Sequence, residues 1–142
     1  LVEKEGGEVV VVTVGKATAM ATVRSALALG SHRAILVTTE HQFLNSVDTA
    51  AVLQKVMEDD GPADLIFTGK QAVDSEAMQT AYRLAENLNL PIASDITECT
   101  VTGGKVIVER EIGGGEIEVI EMAGASIVAA SIISCQRRLW RG

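Results

Sequence analysis

Glycine followed by a helix that opens with hydroxyl and amide side chains is the arrangement in this sequence best suited to chemistry, and that chemistry is phosphate binding. The stretch Gly69-Lys70-Gln71-Ala72-Val73-Asp74-Ser75 leads on to Met78, Gln79 and Thr80. Glycine lets backbone N–H groups come close to a ligand, and a helix starting near Ser75 presents unpaired N–H groups at its positive dipole end. Gln79 and Thr80 would add amide and hydroxyl donors. A second junction of the same kind is Val14-Gly15. The plainer alternative, that Gly69 turns the chain and Ser75 caps a helix without any ligand, stays open on the residues alone.

The other reactive side chains point nowhere in particular. His32 and His41 stand outside any metal-ligand spacing, and structural roles are expected for both. Cys99 and Cys135 have no histidine near them in sequence to activate a thiol, and two cysteines make no disulfide framework, which favours a reducing compartment. There is no GxSxG, HExxH or phosphate-loop signature and no CxxC pair. Catalysis by side chains finds no constellation, and no metal site is expected.

What must position the glycine loop is a series of strand-helix units. Val9–Val14 is an unbroken β-branched run closed by Gly15, the type of strand covered on both faces of a parallel sheet. Between Ala17 and Leu29 the period changes, with Met20, Val23 and Leu27 on one stripe and Gly30 as the stop. Ala34–Thr38 reads as a second strand. A helix capped by Asn45 or Ser46, with Asp48 in its first turn, carries Ala50, Leu53, Val56 and Met57 inward as far as Gly61-Pro62. Asp64–Thr68 is a third strand, ended by Gly69. The following helix, capped by Asp74 or Ser75, has Met78, Ala81, Leu84, Ala85 and Leu88 on one stripe before Asn89-Leu90-Pro91 stops it. Three such units in series predict a parallel sheet with right-handed crossovers. In sheets of that class the ligand crevice lies outside the carboxyl ends of the strands, where Gly15 and Gly69 stand.

Beyond Pro91, the segments Glu98–Thr102, Lys105–Glu111 and Glu116–Glu121 alternate polar and apolar residues around Gly103-Gly104 and Gly113-Gly114-Gly115, which predicts antiparallel hairpins with one wet face. The apolar run Ile127–Ile133 is expected to re-enter the sheet. The fold class is therefore α/β, a mainly parallel sheet flanked by helices with an antiparallel hairpin extension over about residues 92–122, in one domain spanning 1–142. With 142 residues, 47% hydrophobic and 3% aromatic, the core must be aliphatic. Twelve Lys+Arg against nineteen Asp+Glu leave a net charge of −7, which argues against nucleic acid and anionic membrane as partners. No transmembrane span is apparent.

Ala63–Thr68 with Gly69–Thr80 resembles the adenine-nucleotide loop of the electron transfer flavoprotein beta subunit. Leu27–Gly30 followed by Arg33-Ala34-Ile35 is similar to that family's first strand-helix unit, and Val106–Ile112 followed by Gly114-Gly115 is similar to its hairpin. The likeness runs from about Leu1 to Ile133. It implies a three-layer, Rossmann-like fold of the adenine nucleotide alpha-hydrolase type, and one half of an alpha-beta heterodimer that passes electrons. The alpha subunit would hold most of the redox FAD, while this chain would hold AMP, or a second FAD in bifurcating members. Electrons would come from flavin dehydrogenases such as acyl-CoA dehydrogenases and leave to a downstream acceptor.

Carried over by position, the nucleotide contacts implied by the resemblance are Val14 and Gly15 together with Gly69, Lys70, Gln71, Ala72, Val73, Asp74, Ser75, Met78, Gln79 and Thr80. Gln79 and Thr80 would touch phosphate, and Thr80 favours the AMP-type loop. Departures are Ser75-Glu76, where a small polar residue or a Gly-Asp pair is usual, and Met78, where asparagine is frequent. The family's opening strand would precede Leu1, and residues 134–142 do not show its Asn-Glu-Pro-Arg-Tyr stretch, so truncation at both ends is expected. The expected compartment is the cytoplasm in bacteria or archaea and the mitochondrial matrix in eukaryotes. A second reading is a universal-stress-type module that binds ATP without redox partners, against which stand the absent glycine signature of that family and the hairpin insert.

Overall fold

The computed structural model describes residues 6–40, 44–70 and 75–131, and, within these, the side chains of residues 70, 75–78 and 131 are outside the description. In chain order the elements are β1 (Val10–Gly15), a 3₁₀ turn (Ala17–Ala19), α1 (Met20–Ala28), β2 (Arg33–Thr38), α2 (Ser46–Asp60), β3 (Leu65–Lys70), α3 (Ser75–Leu88), β4 (Ile92–Thr102), β5 (Lys105–Gly113), β6 (Glu116–Ala123) and β7 (Ser126–Ser131). The α/β class and the order of elements follow the sequence pattern.

The strands divide between two sheets. β1 and β2 pair in parallel, Val10 with Arg33 through Gly15 with Thr38. The second sheet has the order β3-β7-β4-β5-β6, parallel across β3, β7 and β4 and antiparallel across β4, β5 and β6. The last apolar run thus returns between β3 and β4, as its composition predicts. Sequence pattern gave no hint that the parallel strands fall into two groups, because hydrophobic runs report burial and not which strand lies alongside.

β4 holds the second difference. It begins at Ile92, six residues before the alternating segment that marks it, because within one sheet it pairs with two neighbours of opposite sense. Ile92, Ala93 and Ile96 pair in parallel with β7, and Ile96 to Thr102 pair antiparallel with β5. Register shifts fall between Ala93 and Ile96 and again between Ile96 and Glu98, and Asp95 takes φ 59°. Such irregularities re-aim a strand and break its alternation, which hides it from a period-two reading. The β4–β5 turn is simpler. Gly103 and Gly104 have φ 57° and 77°, the pair of positive values that a two-residue hairpin turn requires.

Two apolar clusters hold the five-stranded sheet. In one, α2 and α3 cover the sheet: Ala50, Leu84, Ala85 and Ile127 are buried, with Ile66, Leu53, Met57 and Leu88 packed around them. The other consists of strand residues alone, Ala93, Ile96, Val106, Val108, Met122 and Val128, with Cys99 at its margin. Val56, on the α2 stripe, instead lines a recess with Ile35 of β2, so α2 reaches both sheets. The α1 stripe is only partly buried. Val23 is enclosed, but Met20 and Leu27 are exposed, because a two-stranded sheet offers too little surface to cover the stripe.

Polar contacts fix the ends. Asn45, not Ser46, caps α2, its Oδ1 accepting from the Asp48 N–H at 2.8 Å. At the other end, Arg33 of β2 donates from Nη1 and Nη2 to Asp60 at 2.8 and 2.9 Å, and from Nε to Glu8. The Arg33 guanidinium holds the Asp60 and Glu8 carboxyls below their ordinary range. His32 Nδ1 accepts from the Val9 N–H at 3.0 Å, a structural role. His41 and Cys135 lie outside the described residues.

Candidate functional site

The carboxyl end of β3 is where the glycine loop starts. Gly69 does not end the strand, as the sequence suggested: β3 continues through Gly69, paired with Ala130, to Lys70, paired with Ser131. The returning β7 provides the partner that a local reading cannot see. Residues 71–74 are outside the described residues, and α3 begins at Ser75 on their far side. A strand-to-helix connection therefore spans Gln71 to Asp74, with the free N–H groups of the first turn of α3 at its end.

One atom beside this junction is unsatisfied. Thr68 Oγ1 is buried and has no hydrogen-bond partner among the described residues. Alternation puts Thr68 on the same face of β3 as Ile66, which packs in the cluster under α2 and α3. A buried hydroxyl without a partner costs about 1–3 kcal/mol, so such atoms call for an explanation. The sequence reading took Thr68 only as the last strand residue; the signal for it was a hydroxyl immediately before the glycine.

The remaining candidates separate. Val14 and Gly15 lie at the carboxyl end of β1, in the other sheet, with Gly15 close to the Ala19 side chain. Ser75 and Met78 are in α3, with their side chains outside the description. Gln79 is exposed and turned toward α2: Ser46 Oγ donates to Gln79 Oε1 at 3.4 Å and accepts from Arg83 Nε at 3.0 Å. Ser46 is itself buried. This link between the start of α2 and the middle of α3 was missed in the sequence, where Ser46 and Arg83 sit 37 residues apart. Thr80 is half-buried one residue on. Among the described residues no group of three metal-ligating side chains occurs, and no helix is long and apolar enough to cross a membrane.

Parallel strands with helices on the sheet, and a glycine loop at a strand's carboxyl end, define an α/β domain of the kind that places ligands at strand ends. The particular family is given by comparison: the Electron transfer flavoprotein domain matches residues 1–132. Electron transfer flavoprotein subunit beta of Bradyrhizobium diazoefficiens is 39% identical over 132 residues, covering 91% of this chain and 52% of the relative. The subunit beta of Bos taurus is 35% identical over 128 residues, covering 88% and 49%, and that of Dictyostelium discoideum 36% over 132, covering 93% and 50%. This chain belongs to the electron transfer flavoprotein family. It spans about half the length of these relatives.

Proposed function

We propose that this chain is part of the beta subunit of a two-subunit electron carrier, holding AMP at the β3–α3 junction and pairing with an FAD-carrying alpha subunit. Electrons would pass from flavin dehydrogenases to a downstream acceptor, with no catalytic side chain in this chain. The observation that carries the nucleotide reading is the buried Thr68 hydroxyl beside Gly69, which has no partner among the described residues. It fits a group rich in oxygen acceptors, and the residues around it fit too. Gly69 allows close approach of the main chain, the N–H groups at the start of α3 suit a phosphate, and Thr80 and the amide of Gln79 lie in its first turns. Val14 and Gly15 would contribute from the end of β1.

The flavin supplies the redox chemistry when bound. The work of this chain is to hold the nucleotide, keep water from the buried hydroxyl and present a fixed surface to its partner. Ser46, bridging Gln79 and Arg83, keeps α2 and α3 in one arrangement so that the first turns of α3 stay aimed at the junction. Denaturing the purified protein and identifying released nucleotide by mass tests the reading. AMP, together with co-purification of an FAD-carrying subunit, is the expected result; bound ATP with no such partner overturns it.

A further inference from the structure

Gln79 and Arg83 stand one helical turn apart on the same face of α3, and the hydroxyl of Ser46, the first residue of α2, bonds to both. Arg83 Nε donates to Ser46 Oγ at 3.0 Å, and Ser46 Oγ donates to Gln79 Oε1 over a longer 3.4 Å. Ser46 is only 5% exposed, whereas Gln79 and Arg83 reach solvent. The helix cap holds the serine in place. Asn45 Oδ1 accepts from the Asp48 N–H at 2.8 Å, and the Asn45 carbonyl accepts from the N–H and Oγ1 of Thr49 at 3.0 and 2.9 Å, so the backbone on both sides of Ser46 is fixed.

The direction of this chain of bonds follows from the chemistry of its members. A guanidinium has donors and no acceptor, so Ser46 must accept from Arg83, and its single hydrogen is left to donate. The end of the Gln79 amide that suits that hydrogen is Oε1. With the amide reversed, Nε2 would meet the hydroxyl as a second donor, and the buried hydrogen would lose its acceptor in this link. Held with Oε1 on Ser46, the amide keeps its two Nε2–H donors for another partner, and the arginine charge at the head of the chain strengthens each bond along it. The chain runs from Arg83 back toward the start of α3, where the helix dipole also favours an anion.

We propose that Ser46 and Arg83 are positioning residues for the phosphate of the nucleotide: they fix the rotation of the Gln79 amide so that it offers an anion donors and no acceptor. This deepens the functional reading above and rests on it. The consequence is selectivity. An amide free to turn offers either end to a ligand, whereas one locked in this sense favours a nucleoside phosphate over the free nucleoside.

The test compares AMP with adenosine by calorimetry, on the complete beta subunit assembled with its FAD-carrying partner and freed of AMP. Ser46→Ala is expected to weaken AMP about fivefold, the worth of one hydrogen bond, and to leave adenosine unchanged. Ser46→Thr, which keeps the hydroxyl, should keep the wild-type ratio of the two affinities. Arg83→Met should lower that ratio as Ser46→Ala does, and because Arg83 is exposed this variant probes the chain without altering a buried position. In a Gln79→Leu background, Ser46→Ala should cost AMP nothing further. Equal losses for AMP and adenosine, an unchanged ratio in both Ser46→Ala and Arg83→Met, or additive losses in the double variant would make Ser46 a tie between helices and overturn the proposal, with the functional reading intact. Failure of the wild-type protein to bind AMP overturns both.

Discussion

Tyr82 Oη of α3 donates to Ser94 Oγ of β4 at 2.9 Å, tying the helix to the strand just where β4 leaves its parallel partner. Ser94 is buried, so removing its donor leaves a hydroxyl to be satisfied some other way. Tyr82→Phe is expected to cost about 1–2 kcal/mol in urea unfolding. A loss near zero would mean that the bond contributes nothing beyond solvation.

Thr68→Val separates a structural hydroxyl from a ligand contact. Replacing a buried hydroxyl that has no partner among the described residues with a methyl group should leave the nucleotide-free protein as stable or more so. The same change should weaken AMP binding about tenfold, or about 1.4 kcal/mol, in calorimetry. Thr80→Val is likewise expected to weaken AMP; unchanged affinity would remove that contact.

Acid should act through Arg33. Its hydrogen bonds to Asp60 and Glu8 lower both carboxyl pKa values in the folded state. Groups with depressed folded values stabilise at and above the ordinary carboxylate range, and that contribution is lost as pH falls through the lowered folded values. The urea midpoint should therefore fall on acidification below about pH 4, more steeply than in Arg33→Met. Parallel curves for the two proteins would remove these pairs as the cause.

Ile127 is fully buried between β3 and β4 under α2 and α3. Ile127→Ala should cost about 2–5 kcal/mol by thermal or chemical unfolding. The exposed Met20→Ala on α1 should cost far less.

How much of this was legible in the sequence varies with the range of the interaction involved. Period and punctuation located every helix: the stripe Ala81, Leu84 and Ala85 is buried as read, and Gly61 and Asn89 stand where α2 and α3 stop. The hairpins were equally plain, because Gly103-Gly104 and the alternation of β5 are local. What failed depended on partners far along the chain. Gly69 looked like a terminator until β7 supplied Ala130 across from it. Ile92–Thr97 looked irregular because the breaks in β4 serve two neighbours of opposite direction. At the candidate site the glycine and the helix start were readable, while the Thr68 orphan and the Ser46–Arg83 link needed the packed structure.

The division of the strands into two sheets bears on cooperativity. β1 and β2 join the rest principally through α2, by way of Val56 beside Ile35 and the Arg33 fork on Asp60. A unit held by one helix and exposed ion pairs opens more readily than one knit by continuous backbone pairing. Native-state hydrogen exchange should resolve two unfolding units in this stretch of chain: amides of β1 and β2 would exchange first, and those of β3, β7 and β4 would exchange only on global opening. A nucleotide held as proposed, by both Gly15 and Gly69, would be the clasp that merges them into a single transition.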